Sequence, residues 1–169
     1  MLERTVDLTG DPRIGIGYDI HPLLPERKLV LGGVEIENPV GLSGHSDADA
    51  LVHAICDAVL GALCLGDLGE HFPETDEFRD ISSLELLRRV RVLMEDRGYR
   101  LGNVDSVIHA ESPKMAPYRD RMAGNIAEAL GVSSDEVSVK ATRGEGMGPV
   151  GEGRAMAARA VVILFPRGD

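Results

Sequence analysis

From Arg13 to His21 the chain reads Arg-Ile-Gly-Ile-Gly-Tyr-Asp-Ile-His. The alternation through Ile14, Ile16 and Tyr18 predicts a strand, and Gly15 and Gly17 between them leave it open to close approach on one face. The same period of two puts Asp19 and His21 on a common face. Further on, Gly44-His45-Ser46-Asp47-Ala48-Asp49-Ala50-Leu51-Val52-His53 predicts a helix beginning near Ser46 that carries His53 on its second turn. A fold that seats this helix beside this strand brings two imidazoles and a carboxylate together. Two His and one Asp are a usual ligand set for a catalytic zinc with an open fourth position, at bonds of roughly 2.0 to 2.2 Å.

At 169 residues, 43% of them hydrophobic, the chain fits one domain with a sizeable core. The formal net charge of -10 argues against a nucleic-acid or anionic-membrane surface, since both need a basic face. A phosphate ligand would need local positive charge from metal ions, a few Lys or Arg, and helix N-termini. Cys56 and Cys64 fall in one predicted helix, roughly 12 Å apart along its axis and beyond disulfide reach. They read as reduced, buried, small apolar residues. Met1 to Asp11 is polar and acidic, unlike a signal peptide, and no apolar run approaches about 18 residues. The expectation is a soluble, cytoplasmic protein.

Residues 1–12 lack periodicity and read as a loose N-terminal extension, leaving 13–169 as a single domain. Lys28 to Leu31 and Val34 to Glu37 flank Gly32-Gly33, a two-residue hairpin signal. From Asp47 to Leu65, Leu51, Ile55, Val59 and Leu63 recur at helical spacing, and Asp49, His53 and Asp57 mark a second, ionisable line. Gly66 to Gly69 stops this helix. His71 to Asp80, with Pro73 and several acidic residues, reads as a surface loop long enough to be a lid. Ser82 or Ser83 caps a helix with the stripe Leu84, Leu87, Val90 and Met94, closed by Gly98. Val104 to Ala110 is a predicted strand; Met122, Ile126 and Leu130 outline a helix ending at Gly131. Val137 to Ala141 and Ala157 to Phe165 are two more strands, joined by the Gly-rich segment Gly144 to Gly153.

Each candidate site has a plainer reading. Asp49, His53 and Asp57 could be a solvated helix face, with Asp19 capping a turn. His45-Ser46 could offer N–H groups and a hydroxyl to phosphate at the positive end of the helix, or simply form its N-cap. Lys114, between Pro113 and Pro117, is either aimed at an anion or solvated. Lys140 to Glu145 ends a strand in a Gly-rich turn, where Glu145 could hold a Mg²⁺ bridging phosphates. Gly15 to Tyr18 is not a dinucleotide fingerprint, lacking a third glycine and a following helix.

Taken in order, Arg13 to His21, His45 to Asp49, Leu65 to Gly69, Phe72 to Asp76, Pro113-Lys114-Met115 and Lys140-Ala141-Thr142 closely resemble the 2-C-methyl-D-erythritol 2,4-cyclodiphosphate synthase family, over roughly residues 13–165. The resemblance implies an α+β fold: a mixed four-stranded sheet plus a hairpin, helices packed on one face, assembled as a homotrimer with active sites between subunits. It implies conversion of 4-diphosphocytidyl-2-C-methyl-D-erythritol 2-phosphate to the cyclic diphosphate and CMP, in the non-mevalonate isoprenoid route, with no enzyme nucleophile.

By that similarity Asp19, His21 and His53 would hold zinc against the attacking phosphate, His45 and Ser46 would bind that phosphate, and Glu145 would hold a Mg²⁺ or Mn²⁺ spanning the diphosphate. Thr142 would donate to the diphosphate beside Arg143 and Gly144. Ala110, Glu111, Ser112, Pro113, Lys114, Met115 and Ala116 would line the cytidine pocket. Asp67, Leu68 and Gly69, with Phe72, Pro73, Glu74, Thr75 and Asp76, would surround the methylerythritol. His45 and Arg143 are the expected catalytic side chains.

This chain departs from the family pattern in two places. Lys-Ala-Thr-Thr-Thr-Glu becomes Lys-Ala-Thr-Arg-Gly-Glu, so Arg143 replaces a threonine credited with transition-state stabilisation; a guanidinium can supply the same stabilisation with a different reach. Phe-Thr-Gly-Arg-Gly-Glu-Gly becomes Pro149-Val150-Gly151-Glu152-Gly153-Arg154-Ala155. In the family this segment lines a central trimer cavity that can hold an isoprenoid diphosphate, a ligand that these changes put in question. Two alternatives stand beside the synthase: a zinc-dependent phosphohydrolase using a metal-bound water, and a catalytically idle trimeric metal- or nucleotide-binding protein.

Overall fold

The computed structural model describes residues 11–167. The extension read at residues 1–12 therefore lies, but for its last two residues, outside the described chain. The elements run β1 (Arg13–Pro25), β2 (Leu29–Leu31), β3 (Val34–Ile36), β4 (Val40–Leu42), α1 (Ala50–Ala62), α2 (Leu68–His71), α3 (Ser83–Asp96), β5 (Tyr99–His109), α4 (Arg119–Leu130), β6 (Val137–Thr142), α5 (Gly148–Gly151) and β7 (Ala155–Pro166).

The main sheet is mixed and has five strands in the order β4-β1-β7-β5-β6, not the four expected. Its extra member is β4, whose Val40 to Leu42 pairs with the far end of β1, from Leu23 to Pro25. A three-residue strand is too short to show alternation, so nothing in its sequence announces it. β2 and β3 form the separate hairpin expected around Gly32-Gly33. Both glycines have positive φ, 56° and 69°, as a two-residue turn matched to strand twist requires.

One face of the sheet carries the helices, and glycine decides how closely. A Cβ at Gly15 would lie 1.8 Å from the Ala58 carbonyl oxygen, and one at Gly17 1.9 Å from that of Ala54. The absence of side chains on β1, met by small residues on α1, lets the helix backbone settle onto the strand. The register continues across the sheet: Gly17 pairs with Ala160, and Ala160 with Ser106. All of this row is buried. The opposite face is different in kind. Ile14 and Ile16 are 72% and 70% exposed, and Tyr18, Ile20 and Val161 are also open to solvent.

α1 is shorter than the predicted Asp47 to Leu65 and is buried on almost every side. Its N-cap is Asp49, whose side chain accepts from Val52 N–H at 3.1 Å and from Gly33 N–H at 2.7 Å. Asp49 is thus fully buried, not part of a solvated face. The helix ends at Ala62 and the chain turns through Cys64 at φ 56°. Cys64 is consequently exposed, against the expectation of burial, while Cys56 is buried as expected; both are free. The other helices follow their predicted stripes, with Gly98 and Gly131 in the left-handed conformation after α3 and α4. No helix among the described residues is long and apolar enough to cross a membrane.

Candidate active site

The row of β1 that faces the helices ends in Asp19 and His21, and α1 lays His53 across them. His21 Nε2 and His53 Nδ1 each lie 2.9 Å from Asp19 Oδ2, and 3.2 Å from one another. Among the described residues this is the cluster whose ligand atoms could share a metal ion. A tetrahedral ion with bonds of about 2.0 Å has ligand-to-ligand edges of about 3.3 Å, so the spacing is close to what one cation needs.

The outer hydrogen bonds favour the same reading. His21 Nδ1 is 2.9 Å from the Ser43 carbonyl oxygen, which can only accept, so Nδ1 carries the proton. Nε2 is then the nitrogen whose lone pair a cation could take, and without one it is the nitrogen that can donate to Asp19. The other Asp19 oxygen accepts from Ile20 N–H at 2.9 Å, which fixes the carboxylate. Burial pushes the Asp19 pKa up, yet the bonds from His21 and His53 outweigh it and hold the group well below the usual carboxylate range. Burial lowers that of His21, but the Asp19 carboxylate more than reverses this, so the imidazole binds its proton more tightly than a free one. A negative, lone-pair-rich focus of this kind attracts a cation or, failing that, a proton.

The triad opens into a cavity of about 260 Å³. Of the residues read from sequence, His45, Ser46, Leu68, Gly69, Phe72 and Glu74 also line it. The segment carrying His45 is pinned to the end of the predicted lid loop: Asp80 N–H donates to His45 O at 3.0 Å, and Asp47 N–H to Ile81 O at 3.1 Å. That loop is more structured than expected, since it contains a short 3-10 turn that buries Phe78. Asp67 caps α2 rather than facing the cavity, accepting from Glu70 N–H at 3.0 Å. Asp76 pairs with Arg79 on the surface. Pro73, Thr75 and Asp76 are not among the lining residues.

Sequence reading missed four walls of this cavity: Asp57, Phe78, Ile81 and Leu86. Asp57 had a signal, lying one helical turn beyond His53, and it also tethers α2 by accepting from Leu68 N–H at 2.8 Å. Phe78 and Ile81 are apolar residues of an irregular loop, where no periodicity singles them out, and Leu86 lies on α3 beside the predicted stripe residue Leu87.

A second cavity, also about 260 Å³, lies at the C-terminal ends of the parallel strands β5 and β6. Ala110, Glu111, Pro113, Lys114, Met115, Ala116, Thr142 and Arg143 line it, together with Arg119 and Ala141, which sequence reading missed. Arg143 does not stand free there: its Nε donates to Glu111 Oε1 at 3.0 Å, and Glu111 Oε2 accepts from Gly144 N–H at 3.1 Å. Ser112, Gly144 and Glu145 are not among the lining residues, and Glu145 is exposed on the strap after β6. The two cavities share no lining residue. β7 and β5 stand between β1 and β6, which at the usual strand spacing separates the triad from Thr142 by roughly 14 Å.

A profile of the YgbB family matches residues 12–165. A 2-C-methyl-D-erythritol 2,4-cyclodiphosphate synthase from Gloeobacter violaceus is 58% identical over 153 residues, covering 90% of this chain and 94% of the relative. A protein of the same name from Clostridioides difficile is 50% identical over 154 residues, covering 90% and 96%. Among solved structures, the bifunctional IspDF of Campylobacter jejuni superposes with a TM-score of 0.89 at 38% identity, over 93% of this chain; this chain spans 43% of that longer protein. A CDP complex of IspF from Plasmodium falciparum superposes with a TM-score of 0.83 at 38% identity, over 93% and 97% of the two chains.

Proposed function

This chain belongs to the YgbB family, and from that premise we propose that it converts 4-diphosphocytidyl-2-C-methyl-D-erythritol 2-phosphate to 2-C-methyl-D-erythritol 2,4-cyclodiphosphate and CMP. The observation that carries the reading is the meeting of Asp19, His21 and His53 at the mouth of a cavity, in a chain 58% identical to a relative with that activity in its name. The hydrolase and idle-binder alternatives are not favoured, because the near relatives are synthases and one solved neighbour binds CDP.

The reaction is an internal displacement. An oxygen of the 2-phosphate forms a bond to the β-phosphorus as the bond from that phosphorus to the oxygen bridging to CMP breaks; CMP leaves with that oxygen. Both reacting groups are anionic, so the protein must neutralise charge and hold them in line. Zinc held by Asp19, His21 and His53, and Mg²⁺ or Mn²⁺ held by Glu145, would supply the charge neutralisation that side chains alone do not.

His45 and Ser46, beside the triad, would bind and orient the 2-phosphate. Thr142 and Arg143 would receive the diphosphate, Arg143 contributing a fixed positive charge where the family usually has a hydroxyl. Ala110 to Ala116, with Lys114, would hold the cytidine. Leu68, Gly69, Phe72 and Glu74 would enclose the methylerythritol, with Asp67 holding α2 in place.

Thr142 and the triad of one subunit stand roughly 14 Å apart across the sheet, further than the diphosphate and 2-phosphate that they would hold in contact. A second copy would complete the site, and the exposed apolar row Ile14, Ile16, Ile20 and Val161 is the kind of surface a partner covers. Both features support a homotrimer with active sites between subunits. On the strap that would face the trimer axis, Arg154 pairs with Glu152 at 2.7 Å instead of standing free for an anion, so an isoprenoid diphosphate at that axis is not part of the proposal. Residues 13–169 act as one domain. A cytoplasmic location suits the two free cysteines.

Phosphorus NMR of the purified protein with this substrate, zinc and Mg²⁺ tests the reaction. The signals of the cyclic diphosphate and CMP should grow together. A linear diphosphate or phosphate product would instead indicate hydrolysis, and unchanged substrate signals with normal CDP binding would indicate an idle binder.

A further inference from the structure

On the side of His53 away from Asp19, the imidazole meets two hydroxyls and a carboxylate. His53 Nε2 lies 2.9 Å from Ser83 Oγ and 3.1 Å from Ser46 Oγ. Ser83 sits at the start of α3 and is fully buried. Its hydroxyl donates to Asp47 Oδ1, and its backbone N–H donates to Asp47 Oδ2 at 3.0 Å. Asp47 therefore caps α3 from the loop that carries His45 and Ser46, and in doing so claims the one proton Ser83 has to give.

The proton count then fixes His53. An ionised carboxylate only accepts, so with its hydrogen committed to Asp47 the Ser83 oxygen is an acceptor toward the ring. Nε2 must therefore carry a proton, which leaves Nδ1 as the nitrogen able to give its lone pair to a cation. Nδ1 is the atom that faces Asp19 Oδ2 and His21 Nε2. Ser46 Oγ, meanwhile, accepts from Ala48 N–H at 3.2 Å. This leaves its own hydrogen to turn into the cavity that Ser46 lines.

We propose that Ser83 and Asp47 are positioning residues for the metal site: a carboxylate–hydroxyl relay that keeps a proton on His53 Nε2, so that Nδ1 is the nitrogen offered to a cation, and leaves the Ser46 hydroxyl as a donor for an anionic ligand. The inference rests on the reading of Asp19, His21 and His53 as ligands. It adds two side chains that touch neither the ion nor the substrate. Such outer partners orient an imidazole and raise its basicity, and their loss commonly weakens metal binding about 10- to 100-fold.

The test reads the tautomer directly. In metal-free protein carrying ¹⁵N-histidine, at mildly alkaline pH, long-range ¹H–¹⁵N correlations should show His53 with Nε2 protonated. Ser83→Ala keeps the Ser83 N–H bond to Asp47, and so should retain its helix content and melting temperature. It should nonetheless show a mixed His53 tautomer and bind zinc about 10- to 100-fold more weakly in chelator competition. A wild-type spectrum with His53 protonated at Nδ1 and not at Nε2 would overturn the proposal whether or not the variant folds. So would a folded Ser83→Ala with unchanged tautomer and zinc affinity. A wild-type protein that binds no zinc while showing the Nε2–H form would overturn the metal reading and leave the relay standing.

Discussion

His53 Nδ1 and Asp19 Oδ2 lie 2.9 Å apart although 34 residues separate them in sequence. The contact depends on two features that have no chemistry of their own. Gly15 and Gly17 let α1 rest against β1, and Asp49 anchors the start of α1 to the Gly32-Gly33 hairpin. The site is as rigid as that docking.

Gly17→Ala should therefore destabilise the fold by about 3 kcal/mol or more, because the added methyl meets the α1 backbone and not a mobile side chain. Urea unfolding followed by circular dichroism measures this. A loss below about 0.5 kcal/mol, within the range of surface substitutions, would mean that α1 sits further from β1 than described.

Asp19→Ala should stay folded and lose its metal, with zinc content falling about tenfold or more relative to wild type. Asp19 is part-buried at the rim of a cavity, so its removal costs coordination more than packing. Elemental analysis after dialysis decides it, and retention of one zinc per subunit would refute the ligand assignment.

Asp49 predicts a pH dependence. Burial, followed by repulsion from Asp47, pushes its carboxyl up to about 6 against bonds from Gly33 and Val52 that favour the charge. The folded state therefore binds this proton more tightly than the unfolded chain, and the group's contribution to stability falls as pH rises from about 4 through 6. Asp49→Asn cannot titrate. Relative to that variant, wild type should lose on the order of 3 kcal/mol between pH 4 and 7. A constant difference across that window in paired urea titrations would show that Asp49 is ionised throughout.

Arg143→Ala should lower kcat roughly 100-fold while changing CDP affinity less, if the guanidinium acts mainly on charge that develops in the transition state. Its pairing with Glu111 holds the group at the cavity rim before substrate arrives. Equal losses in kcat/KM and CDP affinity with kcat intact would assign it to ground-state binding instead.

Much of the site could be read in the sequence because its residues sit on periodic elements. Asp19 and His21 share a strand face, and His53 follows the helical spacing of α1, so pattern marks all three, while their meeting depends on how α1 docks on β1. Other parts carry no periodicity. β4 is defined by its partner β1, and the walls Phe78 and Ile81 belong to an irregular loop. Ser83 was legible as a helix start, but its bond to Asp47 joins residues 36 apart that no local rule connects. Cys64 was misplaced because the helix pattern runs on through Leu63, whereas the chain turns at φ 56° one residue later.

The central claim is that Asp19, His21 and His53 together hold one divalent cation. Anomalous diffraction from zinc-soaked crystals, recorded on both sides of the zinc absorption edge, tests it most directly. The account predicts a single strong peak per subunit, about 2 Å from Asp19 Oδ2, His21 Nε2 and His53 Nδ1. Zinc bound elsewhere, with the three side chains turned apart, would contradict it.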